Sequence, residues 1–334
     1  MRQSISVFPI LLLFAMTSSA ARGVELGVKQ DHFTIDGKPA FLLGCSYYSG
    51  LGASEETLRV DLDELHRRGF NWIRVFADWT AYNNDLSAVD VGTGAPRQPY
   101  LEKLVRLCDE CDRRGMIVDV TLARGTGANH EPCLRTLPVH RQAVETLVIA
   151  LQSRKNWYLD LSNEQNIRDV RYTSVDQLAN LRDAAKKLNP HLLITASHGG
   201  DASKEEISGY LQKAHLDLIS IHRERDAKAP AKAADATRQY KLWIQEIGPV
   251  VPLQYDEPFR RGYSDWEPIA TDFVKDLQAS RDAGAAGWCF HNGDSRRAPG
   301  RKPRRSFDLQ NQSLFEQLDS QEQQFLRLLP AALK

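Results

Sequence analysis

From about residue 30 onward, short apolar runs alternate with longer stretches in which apolar residues recur every three or four positions. Short continuous apolar runs read as buried strands, and the longer period reads as amphipathic helix. Strand character falls on Ala40–Gly44, Trp72–Phe76, Ile117–Leu122, Trp157–Leu161, Leu192–Ala196, Leu218–His222, Leu242–Gln245 and Gly287–Phe290. The first helix has Ser54 as its cap, Leu58, Leu62 and Leu65 on one face, and Gly69 at its end. Leu104, Leu107, Cys108 and Cys111 line a second, and Val144, Leu147, Val148 and Leu151 a third. A fourth carries Leu178, Leu181, Ala185 and Leu188 and stops at Asn189-Pro190, because a residue before proline is pushed out of the helical region. Ile207, Tyr210 and Leu211 mark a fifth, Ala231–Tyr240 a sixth, Ile269, Phe273 and Leu277 a seventh, and Gln321–Leu333 the last. Repeated strand–helix units predict a parallel sheet, and eight of them predict a closed (β/α)8 barrel (TIM barrel). An open, doubly wound sheet is the alternative, but no glycine-rich phosphate loop follows the first strand.

The segment ahead of this pattern has another character. Met1-Arg2 is a short positive start, Val7 to Met16 is almost wholly apolar, and Ser18-Ser19-Ala20 supplies small residues of the kind a signal peptidase reads. The run falls short of the roughly 20 apolar residues needed to span a bilayer. Residues 1–20 are therefore expected to be a cleaved secretory signal, with a retained anchor as the alternative. The barrel then occupies residues 21–334, with a short lead-in hairpin, and the protein is secreted or periplasmic with no membrane attachment after cleavage.

Composition changes the picture only slightly. Of 334 residues, 43 are Lys or Arg and 43 are Asp or Glu, so no net charge points to nucleic acid as a partner. A monomer acting on a neutral partner is the simplest expectation. The five cysteines are Cys45, Cys108, Cys111, Cys133 and Cys289, an odd number that leaves at least one thiol unpaired. Cys108 and Cys111 have CxxC spacing but no second ligand pair, so burial on a helix is preferred to a zinc site.

In such a barrel the active site is built at the carboxyl ends of the strands. Asn163-Glu164 follows the fourth strand run, and Glu246 follows the seventh. This combination resembles clan A glycoside hydrolases, family 5 in particular. Two segments support the likeness: Arg68-Gly69-Phe70-Asn71-Trp72-Ile73-Arg74-Val75, and the lead-in Phe33-Thr34-Ile35-Asp36-Gly37-Lys38-Pro39. The resemblance runs from about residue 30 to 295. It implies a retaining O-glycosidase with no metal or cofactor, acting on a β-linked oligo- or polysaccharide. Glu246 is then the nucleophile and Glu164 the acid/base, on either side of the glycosidic bond. Arg74 holds the nucleophile charged, and Asn163 bonds the sugar 2-hydroxyl. His222 and His198 are further candidates on strands six and five.

Aromatic rings stack on the apolar faces of sugars. Tyr47, Trp79 and Trp288 are the aromatic candidates, with Trp288 or Phe290 as the floor of the cleaved-sugar subsite and Tyr82 and Trp266 as extensions. Where the family commonly has tyrosine two residues after the strand-six histidine, this chain has Glu224, and strand three ends without histidine. Arg124, Arg168, Arg223, Arg225, Arg296 and Arg297 stand just beyond strands. They read either as solvated loop charges or as a cleft for acidic sugars, since arginine forks onto carboxylate and sulfate groups. A barrel that only binds carbohydrate is the rival outside enzymes. A metal-dependent hydrolase is the rival within them, although no HxH cluster ends strand one.

Overall fold

Eight parallel strands form the wall of the barrel in the computed structural model, which describes residues 23–81, 84–125, 133–298, 300, 304 and 307–333. The proposed signal segment and Tyr82 lie outside the described residues. The strands are β1 (Leu42–Ser46), β2 (Trp72–Phe76), β3 (Ile117–Thr121), β4 (Trp157–Asp160), β5 (Ile194–Thr195 continuing as Ser197–Gly199), β6 (Ile219–His222), β7 (Leu253–Tyr255) and β8 (Gly287–Phe290). The lower part of β5 pairs with β4 and its upper part with β6, and β8 pairs with β1, so the ring closes.

Helices follow the strands in turn: α1 (Glu55–Arg67), α2 (Tyr100–Asp112), α3 (Leu137–Leu151), α4 (Val175–Leu188), α5 (Lys204–Ser208), α6 (Ala229–Ile247), α7 (Ala270–Asp282) and α8 (Ser320–Ala332). Ser54 caps α1 by accepting from the Thr57 amide, and Ser174 and Gln177 form a capping box on α4. All five cysteines are buried thiols outside any disulfide.

One strand lies elsewhere than its pattern predicted. Leu242–Gln245 lies within the last two turns of α6, which runs unbroken for 19 residues to Ile247 and is ended by Gly248 with φ of 57°. The seventh strand comes later, at Leu253–Tyr255. Leu242 and Ile244 are two apart and look like strand alternation, but Tyr240 and Ile244 are buried while Leu242 is exposed, which is helical spacing.

Along each strand, alternate residues face the helices or the barrel axis. Ile73, Val75, Val118, Val120, Leu159, Ile221 and Leu253 join the helices in one large core. Facing inward at the amino-terminal end are Leu42, Trp72, Ile117 and Tyr158, closed from below by Phe33 and Leu26 of the lead-in. That lead-in is a three-stranded antiparallel sheet over Leu26–Lys29, His32–Ile35 and Lys38–Ala40. Gly44 makes room for the Trp72 indole: a Cβ at that position would lie 2.2 Å from the ring. The barrel thus has an apolar plug at one end and a polar interior above it. Phe33→Ala leaves a cavity in the plug and is expected to lower stability by about 3–5 kcal/mol, read from urea unfolding midpoints.

Candidate active site

The polar interior is organised around Arg74, which projects from the centre of β2 and is fully buried. Its Nη2 donates to Asp160 Oδ2 and to Asn163 Oδ1, each at 2.9 Å. Nη1 donates to Glu257 Oε1 at 2.6 Å and to the Tyr48 hydroxyl at 3.2 Å. Nε donates to Thr121 Oγ1 at 3.1 Å and lies 3.3 Å from Asp119 and 3.6 Å from Asp256. One guanidinium therefore faces four buried carboxylates from β3, β4 and the end of β7. Burial opposes ionisation of Asp119 and Asp160 and raises both, although Arg74 pulls the other way.

Above this layer stand two glutamates. Glu164 lies four residues past β4 and is held in the left-handed region at φ of 48°, a conformation that costs a non-glycine residue free energy and concentrates at functional sites. Its amide donates to Ser197 Oγ of β5 at 3.2 Å, while the Asn163 amide donates to the Leu122 carbonyl past β3 at 2.8 Å. Gly199 lets the side chain pass, since a Cβ there would meet Glu164 Cγ at 3.1 Å. Glu257 is the second residue past β7 and is 1% exposed. Oxygens of the two glutamates and a ring nitrogen of His222 all lie within 4.8 Å of one another.

The charges around the pair are mainly cationic. His222, at the end of β6, turns Nδ1 to Glu164 Oε1 at 3.3 Å and to Glu257 Oε2 at 3.7 Å, with Nε2 facing Asp256 Oδ1 at 3.4 Å. Arg225 Nη2 lies 2.8 Å from Glu257 and 3.6 Å from Glu164. Arg171 forks onto Asp169 and donates its Nη1 to Glu164 Oε2. His291, past β8, has Nδ1 2.9 Å from the Tyr48 hydroxyl and 3.8 Å from Glu257. Burial pushes both glutamates upward, but His222 and Arg225 outweigh it for Glu164, and His222, His291, Arg225 and Arg74 do so for Glu257. Both are held well below the usual carboxylate range. Burial works against charge on His222 too, yet Glu257 and Asp256 dominate and raise it to about 9.

The sequence-predicted residues divide accordingly. Glu164, Arg74, Asn163 and His222 come together. Glu246 does not: it sits on α6, 45% exposed, paired with Lys204 at 2.6 Å. Trp288 is turned outward, donating its indole N–H to Asp276 of α7 at 2.8 Å and packing on Phe325 of α8. Phe290, two residues on, shares that face and meets Phe273 and Phe325. Tyr47 also points outward, its hydroxyl donating to Asp61 of α1 at 2.9 Å, so Tyr48 is the tyrosine that enters the site. Trp79 packs beside it, with ring centroids 5.5 Å apart. His198 meets Asn166 of the loop after β4 at 3.2 Å and Tyr210, which follows α5, at 2.6 Å. Trp266 packs on Phe259.

Of the strand-end arginines, Arg223 binds Asp276 at 2.5 Å and Arg124 binds His140 and Gln177, both structural contacts. Glu224 is exposed, and Arg225 is the residue of that loop that reaches the glutamates. Glu257, Asp256, His291 and Arg171 escaped the sequence reading. The apolar Val250–Tyr255 run ending in Asp256-Glu257, just after Gly248-Pro249, was the signal for the first two.

Among the described residues, two trios have the spacing for a metal: Glu164, His222 and Glu257, and Asp119, Asp160 and Asp256. In both, guanidinium groups already fill the cation's place, Arg225 and Arg171 at the first and Arg74 at the second. Neither donor set fits a metal ion without displacing arginine.

No protein-family profile matches this chain, and no curated protein sequence does. Its (β/α)8 barrel is shared with solved glycoside hydrolases, several of them named family 5. A putative glycoside hydrolase from Bacteroides vulgatus superposes with a TM-score of 0.69 at 15% identity, over 92% of this chain and 61% of that one. An exo-β-1,4-mannosidase from an Opitutaceae bacterium gives a TM-score of 0.62 at 15% identity, over 91% and 61%. A family 5 mannosidase from Rhizomucor miehei gives 0.63 at 13% identity, over 93% and 97%. This chain therefore spans about three-fifths of the first two.

Replacing Arg74 by Met leaves four buried acids without their common cation and is expected to lower stability by about 3–5 kcal/mol in urea unfolding. His222 supplies a pH signature. Its folded pKa of about 9 exceeds the ordinary 6.5, so its contribution is complete below pH 6.5 and disappears as pH rises through 9. Unfolding free energy is expected to fall by about 3 kcal/mol across that window, and His222→Gln protein to lack the decline.

Proposed function

We propose that this chain is a retaining glycoside hydrolase acting on β-linked oligo- or polysaccharides, with Glu257 as nucleophile and Glu164 as acid/base. The observation that carries the reading is the approach of two carboxylates from β4 and β7 to within 4.8 Å at the carboxyl end of the barrel. Retaining enzymes hold this pair roughly 5–5.5 Å apart, and inverting ones roughly 6.5–9.5 Å to admit a water. A glycosidase fold among the structural neighbours agrees with it, two of them being named mannosidases.

The chemistry follows from the contacts. Glu257, kept ionised by Arg74 and Arg225, attacks the anomeric carbon through one carboxylate oxygen. The bond to the leaving oxygen breaks as that oxygen takes a proton, and a glycosyl ester forms on Glu257. The proton is held by the Glu164–His222 pair, with Glu164 toward the leaving group and His222 Nδ1 behind it. Water then attacks the anomeric carbon, gives its proton back to that pair and frees Glu257. The sum is glycoside plus water giving sugar plus alcohol. Asn163, its Oδ1 engaged by Arg74, is oriented to meet the sugar 2-hydroxyl. Residues 1–20 as a cleaved signal would direct the enzyme to the periplasm or the medium, where such polymers are met.

Purified parent and variants assayed on a panel of aryl β-glycosides test this reading. Glu257→Ala is expected to lose turnover on every substrate, by at least about a thousandfold. Glu164→Ala is expected to lose about a hundredfold or more on poor leaving groups and much less on activated aryl ones, where acid help matters least. Glu246→Gln is expected to match the parent. Equal rates in the Glu257 variant and the parent would overturn the assignment.

A further inference from the structure

Resting on the glycosidase reading, we propose that the substrate is an acidic glycan, and that Arg171 and Arg225 receive the uronate or sulfate group of its sugar at the cleavage point. Among the described residues, three guanidinium groups bear on the two glutamates, and two of them come from the rim rather than the barrel core. Arg225 is 8% exposed and lies against both carboxylates, and Arg171 is 15% exposed and lies against Glu164. Both are pre-set in orientation. Arg225 lies 4.7 Å over the ring of Tyr263, and Arg171 is gripped by both oxygens of Asp169. Arg168, exposed nearby on the same loop as Arg171, stacks on Tyr172 at 4.3 Å.

Substrate class follows from what entry of a sugar must disturb. To reach the leaving oxygen, Glu164 has to exchange its contacts with Arg171 and Arg225 for one with the glycoside. A neutral pyranose offers those arginines nothing ionic in return, leaving Arg171 with Asp169 alone and Arg225 with Glu257 alone, each short of one anion. A carboxylate or sulfate on the sugar replaces the lost partner with another anion, and arginine's planar fork suits both groups. The exchange also removes the charges that keep Glu164 ionised. Its remaining neighbours are then His222, which hands over the proton, and the Glu257 carboxylate, which favours the protonated acid. The anion thus completes the acid as well as binding.

The test compares acidic polysaccharides with their own neutral derivatives. Polyuronides would be assayed against carboxyl-reduced forms and sulfated glycans against desulfated forms, beside para-nitrophenyl β-glucuronide and β-glucoside. At least one acidic member is expected to be cleaved with kcat/KM at least about tenfold above its neutral counterpart, the uronate and sulfate arms telling the two anions apart. In Arg171→Met that ratio is expected to fall about tenfold or more, with the thermal midpoint unchanged. Neutral glycans cleaved as well as or better than every acidic one would overturn the substrate class while leaving the glycosidase reading intact. So would an unchanged ratio in the folded variant. A folded parent that cleaves nothing in either arm would overturn both. Calorimetry with Glu257→Gln separates binding from turnover: the acidic oligosaccharide is expected to bind and its reduced form not to, and equal binding counts against the proposal.

Discussion

Arg74 is buried without exposure in the middle of a barrel and shared among Asp119, Asp160, Asp256 and Glu257. A buried guanidinium is tolerated only where several acceptors surround it, and buried acids only where a cation or proton compensates them. Strands β2, β3, β4 and the end of β7 are therefore tied to one another by charge as well as by the backbone ladder. The apolar plug of Phe33, Leu42 and Trp72 below this layer keeps water from the amino-terminal end. The site above consequently sits on a floor whose geometry is set by ion pairs in a poorly solvated interior.

That floor gives the two glutamates different surroundings. Glu257 touches Arg74 directly and is fully buried, as suits a group that stays ionised. Arg74 meets Asn163 and Ser197, which adjoin Glu164, and two other partners of Glu164, Arg171 and Arg225, approach from loops at the rim. The cations on Glu257 are thus partly structural, whereas those on Glu164 lie where a substrate can displace them. Arg225 sets a permanent charge against Glu257 at 2.8 Å.

Much of this was legible before any coordinates. The alternation of strands and helices, the lead-in, and Glu164, Asn163, Arg74 and His222 all follow from residues whose local pattern and tertiary position agree. Strand seven was misread because Leu242–Gln245 resembles a strand over four residues, while the helix that contains it is visible only over nineteen. Glu246 went with it, and Glu257 was passed over. Trp288 was misassigned for a simpler reason. It and Phe290 are two residues apart on one strand, so both face the helices, and the inward position belongs to Cys289 and His291.

The sequence by itself determined the barrel, because hydrophobic periodicity is a local property that needs no partner to be read. It also determined one of the two site glutamates, Glu164, and the buried Arg74, since the first closely follows a well-marked strand and the second lies within one. Only the tertiary structure decided which second acid faces the first, which of two adjacent tyrosines points inward, and which arginines meet the glutamates. Those outcomes depend on strand parity and on loops that return to the axis from separate repeats. No neighbouring residue in the chain records that return; the closure of the ring produces it.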